Sequence, residues 1–141
     1  MFIGAAANLE GWTDESREDA ANLTPESLPS FIREAYARLS PDGPDHFPVV
    51  FEKLVTAWRT EPHHELAELG RISARTLIIV GDHDGVTVEH AAAIQQAIPG
   101  AQLAVLPGSD HFLLFQKPEL ANRLILDFLG ASDEGSTLTT R

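Results

Sequence analysis

The chain has 141 residues, a hydrophobic content of 43 % and a formal net charge of −11 at pH 7. Its length is that of one ordinary domain, and its hydrophobic content is that of a globular protein, not of a disordered tail. The acidic balance argues against binding to nucleic acid or to anionic membranes, and the absence of cysteine excludes disulfides, thiolate metal sites and cysteine nucleophiles.

The N-terminal segment Met1–Ala7 is apolar, but it is far shorter than the roughly 18 residues of a membrane span. It has no basic leader and continues directly into Asn8 and Glu10, so we predict that it is not a signal peptide. With no cysteine in the chain, the expected location is the cytoplasm.

Short apolar runs predict three β-strands. They are Met1–Ala6, Thr76–Val80 and Gln102–Leu106. None of them alternates polar with apolar residues, a pattern typical of strands buried on both faces of a parallel sheet.

Helical patterns lie between the predicted strands. Apolar stripes at helical spacing predict helices from Ser30 to Leu39, from Phe47 to Trp58, around Leu66 and Leu69, from Val88 to Ile98, and from Pro118 onward. The last four elements read strand, helix, strand, helix, which predicts an α/β fold with right-handed crossovers. The helical block before them is too long for a simple crossover and is interpreted as an insertion on top of the sheet.

Two loops carry residues suited to acid–base chemistry. Asp84 follows the strand Thr76–Val80, and His111 follows the strand Gln102–Leu106. Ligand sites of open parallel sheets lie beyond the carboxyl ends of the strands, so these side chains can meet there. A carboxylate bound to one imidazole nitrogen leaves the other free to take a proton from a nucleophile. From the residues alone an alternative stays open, in which the loops use Asp and Gly as turn formers and His111 is a surface residue.

Several linked segments resemble the end of an α/β-hydrolase. They are Gly81-Asp82-His83-Asp84 after a strand, Ile98-Pro99-Gly100-Ala101, Pro107-Gly108-Ser109-Asp110-His111-Phe112, and Lys117-Pro118-Glu119. The resemblance implies a partial α/β-hydrolase fold: a three-stranded parallel portion of the sheet with a helical lid insertion. It divides the chain into a strand before the lid (1–12), the lid (13–70) and a C-terminal βαβα unit (71–130). The Ser-, Thr- and Gly-rich tail (131–141) is expected to be disordered.

The resemblance also assigns roles. It implies that Asp84 is the acid of a catalytic triad and that His111 is the general base. Asp82 is expected to stabilise the loop. Some hydrolases take the acid from the strand before the lid, and here Glu10 is the candidate for that alternative.

The nucleophile is where the sequence departs from the family pattern. Chain order in this family is nucleophile, acid, histidine, and the nucleophile stands in a Gly-x-Ser-x-Gly turn. None of the serines before Asp84 has that setting: Ser16, Ser27, Ser30, Ser40 and Ser73. We therefore expect a C-terminal fragment whose nucleophile, Ser or Asp, and oxyanion hole belong to a missing half, and which is inactive alone.

The resulting functional hypothesis is a serine hydrolase that acts on a small-molecule ester-like substrate, without a metal or an organic cofactor. The alternative is a non-catalytic interaction or regulatory module derived from a hydrolase. The expected partner is the N-terminal half, or a second copy of the chain bound through the unprotected edge strand at residues 1–6.

Overall fold

The computed structural model describes residues 1–130, and the tail predicted for 131–141 lies outside the described residues. Three strands form one parallel sheet in the order β1, β2, β3. They are β1 (Phe2–Ile3), β2 (Leu77–Gly81) and β3 (Gln102–Leu106). The predicted parallel sheet is confirmed, with β1 paired to β2. The first strand is shorter than predicted because Gly4, with a φ of 54°, turns the backbone out of the extended conformation.

Only the central strand is buried along its whole length. Every residue of β2 is buried, whereas β3 is partly exposed, with 40 % of Val105 accessible. Phe2 and Ile3 of β1 are half-buried. The expectation of burial on both faces therefore holds for β2 and is wrong for the outer strands, which have one neighbouring strand each among residues 1–130.

The described part of the chain has six α-helices. They are α1 (Asp14–Asn22), α2 (Ser30–Leu39), α3 (Phe47–Thr60), α4 (Val88–Ala97), α5 (Leu113–Gln116) and α6 (Pro118–Gly130). The predicted helix around Leu66 and Leu69 is a 3₁₀ segment, Leu66–Arg71. The sequence patterns missed α1, which has no buried residue and hence no apolar stripe, and α5, which is a single turn.

Alternate side chains of β2 build two apolar clusters, one on each face of the sheet. Ile78 and Val80 pack in a cluster with α4, and Leu77 and Ile79 pack in a second cluster with residues of α6. This alternation follows from the two-residue period of a strand. The sheet is therefore covered by α4 on one face and by α6 on the other.

Helices α1, α2 and α3 form the block between β1 and β2. Arg59 of α3 donates hydrogen bonds to the carbonyl oxygens of Ala20 and Ala21 at the end of α1, at 3.0 and 2.6 Å. A cation there satisfies carbonyl groups that a helix terminus leaves without partners. Within residues 1–130, no helix is long and apolar enough to cross a membrane.

Candidate active site

The loops after β2 and β3 are joined by hydrogen bonds. The Ser109 backbone N–H donates to Asp82 Oδ1 at 3.1 Å, and the His83 N–H donates to the Ser109 carbonyl oxygen at 3.0 Å. Gly81 permits this approach, because a Cβ there would lie 2.2 Å from the Ser109 carbonyl oxygen. Backbone N–H groups of Gly108 and Ser109 hold the pKa of Asp82 below its ordinary value. Asp82 thus joins the two loops, a more specific role than the expected stabilisation of its own loop.

Asp84 and His111 are in direct contact. The distance between Asp84 Oδ1 and His111 Nδ1 is 3.0 Å, and the Asp84 side chain is fully buried. The same Oδ1 accepts a hydrogen bond from the Val86 N–H at 3.1 Å. The predicted proximity of this acid and this histidine is confirmed. The hydrogen bond that His111 donates to the Asp84 carboxylate raises the pKa of His111; desolvation opposes this effect, and the negative charges of Asp84 and Asp110 add to it.

The loop that carries His111 is fixed by Asp110. Asp110 accepts hydrogen bonds from the Phe112 backbone N–H at 2.7 Å and from the Gln116 side chain at 2.9 Å. These two interactions, the backbone one first, lower the pKa of Asp110, so this carboxyl group stays ionised beside His111. The short helix α5 follows at once and buries Leu113 beneath the loop.

Gly4 places the end of β1 against the dyad of Asp84 and His111. A Cβ at Gly4 would lie 3.1 Å from both Asp84 Oδ2 and His111 Nδ1. Asp84 Oδ2 is buried and has no hydrogen-bond partner among residues 1–130. A glycine at this position therefore leaves room for the carboxylate and the imidazole to meet. The sequence showed no signal for this role beyond the identity of the residue.

The two alternative acids lie elsewhere. Asp82 binds the Ser109 backbone, as described above, and Glu10 belongs to a 3₁₀ segment, Leu9–Gly11, where it is exposed. The negative charge of Glu10 acts on His90. Among the three candidates, only Asp84 contacts the imidazole of His111, so the alternatives are wrong for this contact.

His90 is a structural residue that sequence reasoning passed over. It is 8 % exposed, and its Nε2 accepts a hydrogen bond from the Ala7 backbone N–H at 3.0 Å. Burial lowers the pKa of His90, which fits its role as a neutral acceptor. The bond ties the segment after β1 to α4. A lone histidine in a helix gives no sequence signal for a distant backbone partner.

A cavity of about 630 Å³ opens beside His111. Its wall comes from α1, from the end of α3 and from the loops that carry the dyad. The imidazole lies between two aromatic rings, with ring centroids 6.2 Å from Trp12 and 6.3 Å from Phe112. The His111 side chain is 52 % exposed, and its Nε2 makes no hydrogen bond to the described residues. This nitrogen is thus free to exchange a proton with a bound molecule.

No serine of the described residues is hydrogen-bonded to His111. Ser16 lines the cavity, but its Oγ accepts a hydrogen bond from the Thr13 hydroxyl at 2.9 Å, within the N-terminal cap of α1. The Ser109 hydroxyl is buried and donates to the Leu106 carbonyl oxygen at 2.8 Å. Within residues 1–130, no group of three His, Asp or Glu side chains is placed to hold a metal ion.

A parallel sheet with a carboxylate–histidine pair beyond the carboxyl ends of neighbouring strands is a site suited to acid–base catalysis. The chain is 32 % identical, over 113 residues, to a 2-hydroxy-6-oxo-6-phenylhexa-2,4-dienoate hydrolase from Burkholderia cepacia. It is 31 % identical, over 99 residues, to a 2-hydroxy-6-oxononadienedioate/2-hydroxy-6-oxononatrienedioate hydrolase from Comamonas testosteroni. The matches cover 79 % and 69 % of the chain, but only 37 % and 33 % of the two relatives.

Solved structures of hydrolases have a similar fold. A meta-cleavage product hydrolase from Pseudomonas fluorescens superposes with a TM-score of 0.64 at 21 % identity, over 90 % of this chain and 53 % of that one. An alpha/beta hydrolase from a deep-sea metagenome library gives 0.62 at 17 % identity, over 96 % and 57 %. The chain therefore has an α/β-hydrolase fold, and it spans about half the length of these structures. No family model matches the sequence.

Proposed function

We propose that this chain supplies the acid and the general base of a serine-hydrolase triad that cleaves a carboxylic ester. The observation that carries the proposal is the 3.0 Å contact between Asp84 Oδ1 and His111 Nδ1, with Nε2 of the same ring free at a cavity. The hydrolase relatives support the reaction class. A cytoplasmic location is part of the proposal and rests on the absence of cysteine.

The geometry suits both proton transfers of acyl exchange. His111 Nε2 takes the proton of the nucleophile's hydroxyl as its oxygen attacks the ester carbonyl carbon, and Asp84 stabilises the imidazolium. The imidazolium then gives this proton to the departing alkoxide, which leaves as the alcohol. Water attacks the acyl intermediate and loses a proton to Nε2. That proton returns to the nucleophile as the carboxylic acid is released.

The proposal places the nucleophile outside the described residues, because none of their serines bonds to His111. We propose that a polypeptide segment carrying the nucleophilic serine packs beside β1. Among residues 1–130, β1 pairs with β2 alone, so its other edge presents backbone groups that no strand pairs with. Such an edge is a template for another strand. Self-association of two copies through the same edge is the competing outcome.

A second candidate reaction is hydrolysis of a 2-hydroxy-6-oxo-dienoate. The observation that favours it is the likeness to the two curated relatives, both of which are named for substrates of this kind. The same dyad would serve either reaction, since both need a base and a proton donor at one nitrogen. Assaying both substrate types with one preparation separates the two candidates.

The test is a hybrid enzyme. The segment of the Burkholderia cepacia relative that precedes its match to this chain is fused to Met1, and the hybrid is assayed with p-nitrophenyl esters and with the dienoate. Turnover is expected, and His111→Ala or Asp84→Asn should lower kcat/KM by about 10³-fold or more. His63→Ala is the matched control, because His63 is exposed and lies outside the cavity.

Labelling by a fluorophosphonate probe gives a second readout, since it reports a reactive serine without turnover. A hybrid that labels and turns over equally well with His111→Ala would contradict the proposal. A folded hybrid that neither labels nor turns over would favour the non-catalytic module instead.

A further inference from the structure

Three aromatic side chains line the cavity beside His111. Trp12 and Phe112 flank the imidazole, and Trp58 of α3 forms part of the wall contributed by the helical block. Trp58 is 42 % exposed and Phe112 is 40 % exposed, although both are large apolar side chains. Exposed aromatic surface that borders a cavity becomes buried when a ligand binds there.

We propose that the cavity binds an uncharged ligand with an aromatic ring, which makes uncharged aromatic esters the substrate class of the proposed hydrolase. The inference rests on the proposed function, because it takes the cavity beside His111 as the substrate site. The cavity volume of about 630 Å³ lies in the range of small-molecule sites, roughly 300–1,000 Å³. Ring-on-ring contacts are favourable beyond the area that they bury.

The charged residues of the wall offer an anionic ligand no net attraction. Arg59 donates hydrogen bonds to the carbonyl oxygens of Ala20 and Ala21, and Arg17 forms an ion pair with Asp14. Two carboxylates, Asp19 and Asp110, line the same cavity. Because hydrogen bonds lower the pKa of Asp110, its negative charge persists near neutral pH. The formal charges of Arg17 and Arg59 are balanced by these two carboxylates, so the wall gives an anion no net attraction, and the net charge of −11 on the chain would repel it.

The chain carries its own probes for a binding test. It has two tryptophans, Trp12 and Trp58, and both line the cavity. Their indole N–H groups give two NMR resonances, which Trp58→Phe assigns. The 141-residue chain is titrated with methyl benzoate, with methyl cyclohexanecarboxylate as an uncharged ester without aromaticity, and with benzoate as an aromatic anion.

We expect methyl benzoate to shift both indole resonances saturably, with an affinity about tenfold higher than that of either comparison compound. Trp58→Ala should weaken this binding several-fold. Leu126→Ala is the control, because it removes a side chain that is also exposed, at 64 %, but lies on α6 outside the cavity wall. Thermal melts of both variants verify that they are folded.

Equal affinity for benzoate would overturn the requirement for an uncharged ligand, and equal affinity for the cyclohexane ester would overturn the requirement for a ring. Absence of any shift would overturn both. The binding test needs no nucleophile, so its failure differs from failure of the proposed function. If methyl benzoate does not bind while the hybrid enzyme still depends on His111, only this inference is wrong. If it binds while turnover is indifferent to His111, only the proposed function is wrong.

Discussion

One carboxylate oxygen of Asp84 binds both the imidazole of His111 and the backbone of the loop that carries Asp84. Asp84 Oδ1 accepts hydrogen bonds from His111 Nδ1 at 3.0 Å and from the Val86 N–H at 3.1 Å. The hydrogen bond from the Val86 N–H orients the carboxylate within its own loop, independently of the imidazole. An acid oriented in this way loses little additional freedom when it binds the histidine.

Asp84→Asn should lower the pKa of His111, because the hydrogen bond from the imidazole to the Asp84 carboxylate is the largest cause of its elevation. Asp110→Asn removes a more remote charge and should lower the same pKa by less. NMR titration of the His111 ring protons measures both. A larger drop for Asp110→Asn would show that Asp84 does not control the protonation of this ring.

Two histidines should give the folded chain opposite pH dependences. The pKa of His111 is raised, so its contribution to stability is present below the ordinary value of 6.5 and is lost as the pH rises through the folded pKa. Burial lowers the pKa of His90, so its contribution is present above 6.5 and is lost as the pH falls below that value.

Urea unfolding across this pH range checks both signs. His111→Gln should flatten the loss of unfolding free energy on the alkaline side, and His90→Gln should flatten the loss on the acid side. His63→Gln, an exposed control, should leave both limbs unchanged. Equal effects of His111→Gln and His90→Gln on one limb would contradict the assignment.

Gly4→Ala should cost stability and also disturb the dyad. A side chain at a φ of 54° is strained by about 1–2 kcal/mol, and its Cβ would press on Asp84 and His111 at 3.1 Å. Gly43→Ala is the matched control, since Gly43 has a φ of 78° and nothing within 4 Å of its Cβ position. Both variants should lower the free energy of unfolding, but only Gly4→Ala should move the His111 titration. Identical titrations in the two variants would remove Gly4 from the site.

The 141-residue chain by itself should not hydrolyse esters above a histidine-containing control protein. None of its described serines is hydrogen-bonded to His111, and imidazole alone is a weak catalyst without positioned donors for the oxyanion. Steady turnover of a p-nitrophenyl ester, together with fluorophosphonate labelling, would show that a serine of this chain is the nucleophile. Ser16, which lines the cavity, would then be the first position to substitute.

Sequence reasoning predicted the elements whose patterns are local. The apolar run at β3 and the stripe of α2 coincide with the observed elements, because each pattern is formed by residues close together in the sequence. The pairing of Asp84 with His111 followed from a general rule about parallel strands and from family resemblance. Helix α1 was missed because it has no buried residue, so its sequence contains no apolar stripe.

Tertiary contacts explain what the sequence could not provide. The sequence around Gly4 does not indicate that this residue lies against a carboxylate and an imidazole more than 75 positions away. The acceptor role of His90 for Ala7, across 83 positions, is equally invisible. The cavity forms only when α1 and α3 pack next to the loops that carry Asp84 and His111. This packing is between elements far apart in the sequence, so no local sequence pattern predicts it.

The helical block between β1 and β2 has a consequence for the order of folding. Leu77 and Gln102, which pair in β2 and β3, are 25 positions apart, whereas Ile3 and Ile79, which pair in β1 and β2, are 76 apart. Closing the longer loop costs about 1 kcal/mol more in chain entropy. We therefore expect the segment that contains both Asp84 and His111 to collapse first and β1 to dock late. In native-state hydrogen exchange, the Gly4 amide, bonded to the Ile79 carbonyl oxygen, should then open more readily than the amides between β2 and β3.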